Sequence, residues 1–431
     1  WVALRSTHPT WIDSESDAWI LEANCDRRES VRYDSSIMPA VTCLDLFHVA
    51  LPLKKTIRHA SHERASSDSL VARITLDDGS VGFGEGVPRS YVTGETIETA
   101  LGMLVEIDVA KAIGRVDDFG QAIERIASLT LPSIEADPRG MFGNAARSAL
   151  ELALLDAFGQ SFGQSLGQAI RIACRVPELL HPAPARVRYS GAITAESRRK
   201  ELFSALKMRL NHFHQVKLKV GVPGQDDARR LADIRKILRR NVDIRLDANE
   251  AWRADEVVDR MAPLKRFAPT AIEQPVAHAE VDALAEIRPR LGVPVMLDES
   301  LCGYPDGLRA VERGTADLFN VRISKCGGIF PTLRLIELAH RSGLGVQLGC
   351  HPGESGFLSA AGRHMASNIA GLRYVEGSYD RHVLAMNIIL EDLTFGFRGW
   401  APPIVGPGLG VSDDPLALEA LTVATREVRY D

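Results

Sequence analysis

From about Val187 to Glu376 the chain repeats one rhythm of short apolar runs separated by amphipathic stretches. The strand-like runs are Val187–Thr194, Gln215–Gly221, Val242–Asn249, Thr270–Val276, Val293–Ser300, Leu318–Cys326, Gly345–Cys350 and Arg373–Glu376. Stretches with apolar residues at helical spacing, such as Asp226–Leu238 and Phe330–Arg341, lie between them. Alternating strand and helix predicts a parallel sheet with helices outside it. Seven or eight such units in under 200 residues predict a closed barrel rather than an open sheet.

The pattern before the barrel differs. Thr42–Pro52 is β-like, and Leu70–Leu76 alternates up to Asp77-Asp78-Gly79-Ser80, after which Val81–Gly86 follows at once. Strand, Asp-Asp-Gly turn and strand predict a β-hairpin. Gly82, Gly84 and Gly86 form a GxGxG inside its second strand. A dinucleotide fingerprint needs such glycines between a strand and a helix, so this placement speaks against nucleotide binding. Ala145–Phe158 reads as a helix that stops near Gly159. Lys54–Ser66 and Gly86–Glu95 read as polar loops. After Ile389 come turns and short strands, read as a tail returning to the first domain. The predicted division is an N-terminal extension (1–40, partly helical around Trp11–Asn24), an α+β capping domain (41–172), a barrel (173–390) and a C-terminal segment completing the cap (391–431).

Composition narrows the classes. The 431 residues carry 51 basic and 56 acidic side chains, a net charge of −5 that argues against a nucleic-acid binder. No apolar run is long enough to span a membrane. Six cysteines without a CxxC pair point away from a zinc ribbon or disulfide framework and towards a reducing, cytoplasmic setting. The start, Trp1 to Arg5 followed by acidic residues, lacks the apolar core of a signal peptide, and its lack of Met suggests a trimmed start.

The charges at strand ends carry the chemistry. A barrel strand is buried on both faces and should read as apolar. Yet Lys217 and Lys219, Asp247, Glu273, Asp298 and Lys325 close successive strand units. From Lys219 the steps are 28, 26, 25 and 27 residues, about one β/α unit each. All five positions should therefore stand at one height, at the C-terminal strand ends where barrel enzymes place their sites. Three neighbouring carboxylates there repel unless a cation joins them, and hard oxygen ligands suit Mg2+. No His or Cys set suggests zinc. Taken singly, each acid would pass for a helix cap or a loop salt bridge.

Lys217 and Lys219 share one strand face. Two close ammonium groups should depress each other's pKa, and partial burial should depress it further, making a general base. Lys325 comes from four strands away and should face Lys219 across a bound substrate.

The runs VKLKVG (216–221), RLDANEAW (245–252), IEQPV (272–276), MLDES (296–300) and NVRISKCGGI (320–329) resemble the enolase superfamily, muconate-lactonizing subgroup. ALELALLDAFG (149–159) resembles the helix that closes its capping domain, and the resemblance extends over about 42–410. It implies an α/β fold: a modified (β/α)7β TIM-like barrel with an α+β capping domain. It implies Mg2+, with Mn2+ as a substitute, held by Asp247, Glu273 and Asp298. Lys219 and Lys325 match the acid/base lysines, with Lys217 as the partner of Lys219, and Asn249 and Glu299 stand beside the ligands. This superfamily is a general example of Lys or His bases working beside Mg2+ through an enediolate.

With both lysines active the resemblance implies epimerisation; with one, cycloisomerisation or dehydration. A mandelate-racemase-like site would use a His after strand seven with an Asp on strand six. His351 is present, but Lys325 occupies the strand-six position, so His351 reads as a pocket wall or a structural residue, and Cys350 as a small buried residue rather than a nucleophile. Candidate substrate contacts are Arg58, His59, Arg89, Tyr91, His351 and Glu354. The Asp-x-Asp that dipeptide epimerases carry after strand eight is absent, with Glu376 or Asp380 as substitutes. The preferred function is a muconate cycloisomerase-like enzyme acting on a small-molecule carboxylate, without nucleic acid or membrane partners and as a homo-oligomer. The alternative is a dipeptide epimerase, N-acylamino-acid racemase or o-succinylbenzoate-synthase-like activity. Outside this chemistry stand a class I aldolase, which needs no metal, and a catalytically silent ligand-binding barrel.

Overall fold

The computed structural model describes residues 38–430, apart from 59–62, 133–136, 138 and 195–196. The expected helix around Trp11–Asn24 lies outside the described residues.

Three strands open the chain: β1 (Val41–Arg58), β2 (Glu63–Leu76) and β3 (Val81–Gly86). The turn between β2 and β3 uses Gly79 at φ +86°, a left-handed conformation that glycine adopts without penalty. The polar stretch expected as a loop is instead largely strand. β1 runs on through Lys54–Arg58, past an irregularity after Pro52, and pairs Ile57 with Arg64. Lys54, Lys55 and Thr56 are exposed there, which explains the polar texture.

The GxGxG has a packing role. A Cβ on Gly82, Gly84 or Gly86 would lie 2.0, 2.1 and 1.9 Å from backbone atoms of Ala157, Ala149 and Ala145. Successive glycines on one strand face therefore sit directly on an alanine stripe of the helix Asn144–Ser161, backbone against backbone. This helix does not stop at Gly159. A Cβ there would lie 2.7 Å from the Gln164 carbonyl and 2.8 Å from Gly408 Cα, so Gly159 admits a neighbouring segment; the chain turns at Gly163, φ +64°.

After the short β4 (Val187–Arg188) come the barrel strands: β5 (Gly191–Ile193), β6 (Gln215–Lys219), β7 (Asp243–Asp247), β8 (Ile272–Glu273), β9 (Val295–Leu297), β10 (Leu318–Val321), β11 (Gly345–Leu348) and β12 (Leu372–Val375). They form one parallel sheet in chain order, with a helix in each of the seven connections. The Ser190 amide donates to the Val375 carbonyl at 2.8 Å and closes the ring between its first and last strands. This is the expected (β/α)7β barrel. Inside it, Ala271, Met296, Leu318 and Tyr374 form a small buried cluster.

The last strands are β13 (Trp400–Ala401), paired with β4, and β14 (Thr422–Arg429), paired antiparallel with β1. The cap sheet therefore has the order β14-β1-β2-β3 and joins both ends of the described chain. Buried carboxylates tie cap to barrel. Glu85 of β3 accepts from Ser69 Oγ, from Ser355 Oγ and amide, and from the Leu358 amide at the start of a barrel helix. Glu151 accepts from the Phe330 amide at 3.1 Å, at the start of another. Among the described residues, no helix is long and apolar enough to cross a membrane.

Candidate active site

The barrel interior is built in levels. Arg245, fully buried on β7, lies over the Tyr374 ring at 4.7 Å and contacts Glu376, the residue after β12. Lys217 is registered beside Arg245. Its Nζ stands 2.9 Å from Glu376 Oε2, 3.4 Å from Asp247 Oδ2 and 3.7 Å from Glu273 Oε2. Burial pushes this ammonium down, but Glu273, Glu376 and Asp247 outweigh burial and hold it above the ordinary lysine range. Lys217 is thus a fixed cation, contrary to the expectation of a depressed pKa. The same cations, working against burial, hold Glu376 down at about 2.

One level higher, Lys219, Asp247 and Glu273 share a row, each registered beside the next. The expectation of one height for all five residues fails beyond that. Glu273 is registered with Met296, so Asp298 stands two residues further along. Lys325 lies in a single helical turn, Ile323–Cys326, past the end of β10. Barrel strands tilt and stagger, so equal sequence steps do not give equal heights. The long Lys325 side chain reaches back: its Nζ donates to the Asp298 carbonyl, Asp298 Oδ1 and the Asn320 carbonyl at 2.7, 2.8 and 2.8 Å. Burial holds Lys325 below the ordinary lysine range.

Around this row the backbone is strained. Asn249, Glu250 and Gln274 adopt positive φ of 43°, 66° and 36° just past the ends of β7 and β8, a conformation that non-glycine residues keep only where surroundings enforce it. Gln274 Oε1 accepts from the Asp298 and Ser300 amides at 2.9 and 3.2 Å and fixes the Asp298 loop. Asn249 Nδ2 donates to Glu299 at 3.2 Å. Burial and the nearby Asp247, Glu250 and Glu273 push Glu299 up to about 7.

The three carboxylates are almost wholly buried, and their donor set suits a hard cation. Glu273 Oε1 accepts from Asn320 Nδ2 at 2.7 Å, while Oε2 is buried without a hydrogen bond. Burial, with Asp247 and Glu376 nearby, pushes the Glu273 pKa up against the pull of Lys217. The ligand oxygens are not all within 4.8 Å of one another. Lys217 engages Asp247 and Glu273, while Arg322 and Lys325 draw Asp298 to the other side. A divalent cation fits this chemistry.

The expected substrate contacts divide. Arg89 is buried, and its guanidinium donates to the Asp68 and Pro88 carbonyls and Ser67 Oγ, which makes it a strut of the cap. Tyr91 is half-buried two residues on. The Arg58 side chain and all of His59 lie outside the described residues. His351 is buried, and burial with Arg322, Arg89, Lys325 and Arg64 around it keeps its pKa well below the usual range. Glu354 accepts from the His351 amide at 2.8 Å. Burial and Glu354 push the Cys350 thiol up, consistent with an inert residue.

Arg245, Asn320 and Arg322 belong to the candidate site but were not assigned to it from sequence, and Glu376, expected as a substitute for the ammonium-binding motif, instead engages Lys217 and Arg245. Arg245 carried a readable signal, a charge in mid-strand where both faces should be apolar. Arg322 and Asn320 sit within the NVRISK run but gave no sign of their partners.

Residues 199–417 match the model of the enolase C-terminal domain-like family. The chain is 28% identical over 319 residues to a hydrophobic dipeptide epimerase of Enterococcus faecalis, covering 74% of this chain and 84% of that protein. It is 28% identical over 380 residues to a chloromuconate cycloisomerase of Cupriavidus pinatubonensis, covering 85% and 94%. The crystal structure of an N-succinyl Arg/Lys racemase from Bacillus cereus superposes with a TM-score of 0.77 at 23% identity, covering 90% of this chain and 100% of that one. Members of the enolase superfamily bind Mg2+.

Proposed function

The chain belongs to the enolase C-terminal domain-like family, in the muconate-lactonizing-like subgroup of the enolase superfamily, and on that premise we propose that it is a Mg2+-dependent isomerase moving the proton α to a substrate carboxylate. One observation carries the reading. Lys219 ends β6 and Lys325 follows β10, four strands apart in an eight-stranded ring, and the three carboxylates lie on or just past the strands between them. The two lysines thus approach the carboxylates from opposite sides.

Asp247, Glu273 and Asp298 would hold Mg2+. Bound there, the ion supplies the charge that stabilises the negative charge developing on the substrate carboxylate. Lys325, buried and held below the ordinary lysine range, is suited to take or return a proton on one face. Lys219 makes no ion pair or side-chain hydrogen bond among the described residues and serves the other face. Lys217 stays charged, positions Asp247 and Glu273, and does not exchange protons. Asn320 orients Glu273, and Gln274 fixes the backbone of Asp298.

Two opposed bases support racemisation or epimerisation, and one base used alone supports cycloisomerisation. The test is deuterium incorporation from D2O into a panel of muconates, N-acyl amino acids and dipeptides. Lysine-dependent exchange into one of them is the expected result; no exchange or turnover with any of them overturns the reading.

A further inference from the structure

The segment that carries Lys325 is one helical turn, Ile323–Cys326. The carbonyls at the end of a helix need donors from outside it. The Gly327 and Gly328 amides supply the Ser324 and Ile323 carbonyls. The next carbonyl, that of Lys325 itself, accepts from Asn144 Nδ2 at 2.7 Å. The same nitrogen donates to the Cys302 carbonyl, also at 2.7 Å. A side-chain amide nitrogen has two hydrogens to give, and here both are used.

Asn144 opens the cap helix Asn144–Ser161, so its side chain crosses from cap to barrel. Two glycines of positive φ, Gly327 at 94° and Gly328 at 113°, permit the approach. A Cβ on Gly327 would stand 2.9 Å from Asn144 Oδ1, and one on Gly328 2.4 Å from Glu151 Oε1 of the same cap helix. The Asn144 end of that helix is itself fixed, because Glu95 accepts from the Ala145 and Ala146 amides at 3.0 and 3.2 Å. A second cap contact falls on the Lys325 turn: the Val87 amide donates to Ser324 Oγ at 2.7 Å.

The two carbonyls that Asn144 joins belong to one chain of contacts. Cys302 lies in the loop between β9 and the helix Tyr304–Arg313, the loop that begins with Asp298. Lys325 Nζ reaches back to the Asp298 carbonyl and to Asp298 Oδ1. Asn144 therefore closes a ring: Asp298 loop, Asn144 amide, Lys325 backbone, Lys325 side chain, Asp298. The other lysine is held differently. The Lys219 carbonyl accepts from Arg230 at 2.9 Å, a residue of the barrel helix Asp227–Leu238.

We infer that Asn144 is a positioning residue for Lys325: from the cap, it sets where the Lys325 ammonium stands relative to Asp298, and so it governs proton transfer on one face of the substrate and not on the other. This rests on the isomerase reading and deepens it. Asn144 acts through the Lys325 backbone and the Asp298 loop, not by touching the reacting atoms. A base misplaced by about 1 Å can lose about 100-fold in rate, so removing this amide should show in the rate at one face.

The test uses Asn144→Asp, close in shape but with an oxygen in place of the donor, and Asn144→Ala, which removes the donor without adding charge. Glu95→Gln is the control: it perturbs the same helix end without touching the Lys325 turn. Deuterium uptake into substrate is measured on the Mg2+-loaded protein, and Lys325→Ala sorts that uptake by face. Uptake that Lys325→Ala abolishes should fall about 100-fold in both Asn144 variants, while uptake that survives Lys325→Ala should stay within about threefold of wild type. Glu95→Gln should leave both near wild type. Backbone amide exchange, read by mass spectrometry without substrate, should quicken over residues 299–306 and 323–330 in the Asn144 variants and not in Glu95→Gln. Equal loss on both faces, no loss on either, the same one-sided loss in Glu95→Gln, or unchanged amide exchange overturns the inference. Wild-type protein that brings deuterium into no candidate substrate sinks the isomerase reading and this role with it; unchanged amide exchange sinks the role of Asn144 alone.

Discussion

Lys217 on β6 and Glu376 just past β12 meet inside the barrel, Nζ 2.9 Å from Oε2, with Arg245 on the other carboxylate oxygen. One buried anion thereby engages two buried cations beneath the row formed by Lys219, Asp247 and Glu273. Glu376→Gln leaves Arg245 without its counter-charge and Lys217 with only the more distant Asp247 and Glu273, and should destabilise the fold by about 3–5 kcal/mol, the usual effect of breaking a buried pair. Glu376 titrates at about 2 when folded against 4.5 ordinarily. Its stabilisation is therefore present above pH 4.5 and lost as pH falls from there towards 2. Denaturant unfolding of both proteins at pH 7 and pH 3 should show the gap narrowing at pH 3.

Lys219→Ala and Lys325→Ala should each lower turnover about 1,000-fold or more. Circular dichroism and Mg2+ affinity should stay close to wild type in Lys219→Ala. Full activity in both variants would rule out the two-base scheme.

Chelation should abolish exchange, with recovery on adding Mg2+ or Mn2+. Because the ion binds the folded form, the melting temperature should rise with Mg2+ concentration. Activity that survives exhaustive chelation would favour a Schiff-base aldolase, which borohydride trapping would reveal.

Glu151 supplies a pH dependence of opposite sign to that of Glu376. Burial pushes it up to about 7 from 4.5, although Arg147 and the Phe330 and Ile329 amides pull it down. A carboxyl with a raised folded pKa favours the native state most below pH 4.5, and that contribution is lost as pH rises through 7. Glu151→Gln keeps the acceptor for Phe330 without the titration. Relative to wild type it should gain stability between pH 4.5 and pH 8, by on the order of 3 kcal/mol. Melting curves across that range check the sign.

Gly84→Ala places a methyl group 2.1 Å from the Ala149 carbonyl oxygen, where only backbone can yield. The expected cost is about 2–4 kcal/mol, at or above the usual cost of overpacking a core. Alanine at Gly102, inside the helix Ile97–Val105 with nothing within 4 Å of its Cβ position, is the control and should stabilise by about 0.5–1 kcal/mol.

Much of the barrel was legible because burial on both faces makes a strand-end charge conspicuous, as at Asp247 and Glu273. The row broke at Asp298 and Lys325 because stagger is a property of the closed ring and leaves no local trace. Polar composition misread Lys54–Ser66 as a loop, since an exposed hairpin end and a loop look alike in sequence. Gly159 resembled a stop signal but serves a close approach by Gly408. Glu376 joins partners 159 and 131 residues away, and local sequence could not reveal the pairing.

The glycine-on-alanine seam has a mechanical consequence. It clamps the root of the cap hairpin, where β3 lies on the helix Asn144–Ser161, while the first residues of β2 extend beyond the stretch paired with β3. Beyond the seam the hairpin is held a second time, where Leu53 bridges Leu384, the Ala385 amide donates to the Pro52 carbonyl and Ser67 lies against Gly353. A tilt at the seam is therefore handed on to the segments that follow β11 and β12. Substitutions in the seam can therefore retune the barrel mouth from a distance, while the carboxylates and lysines, built on the barrel, keep their places.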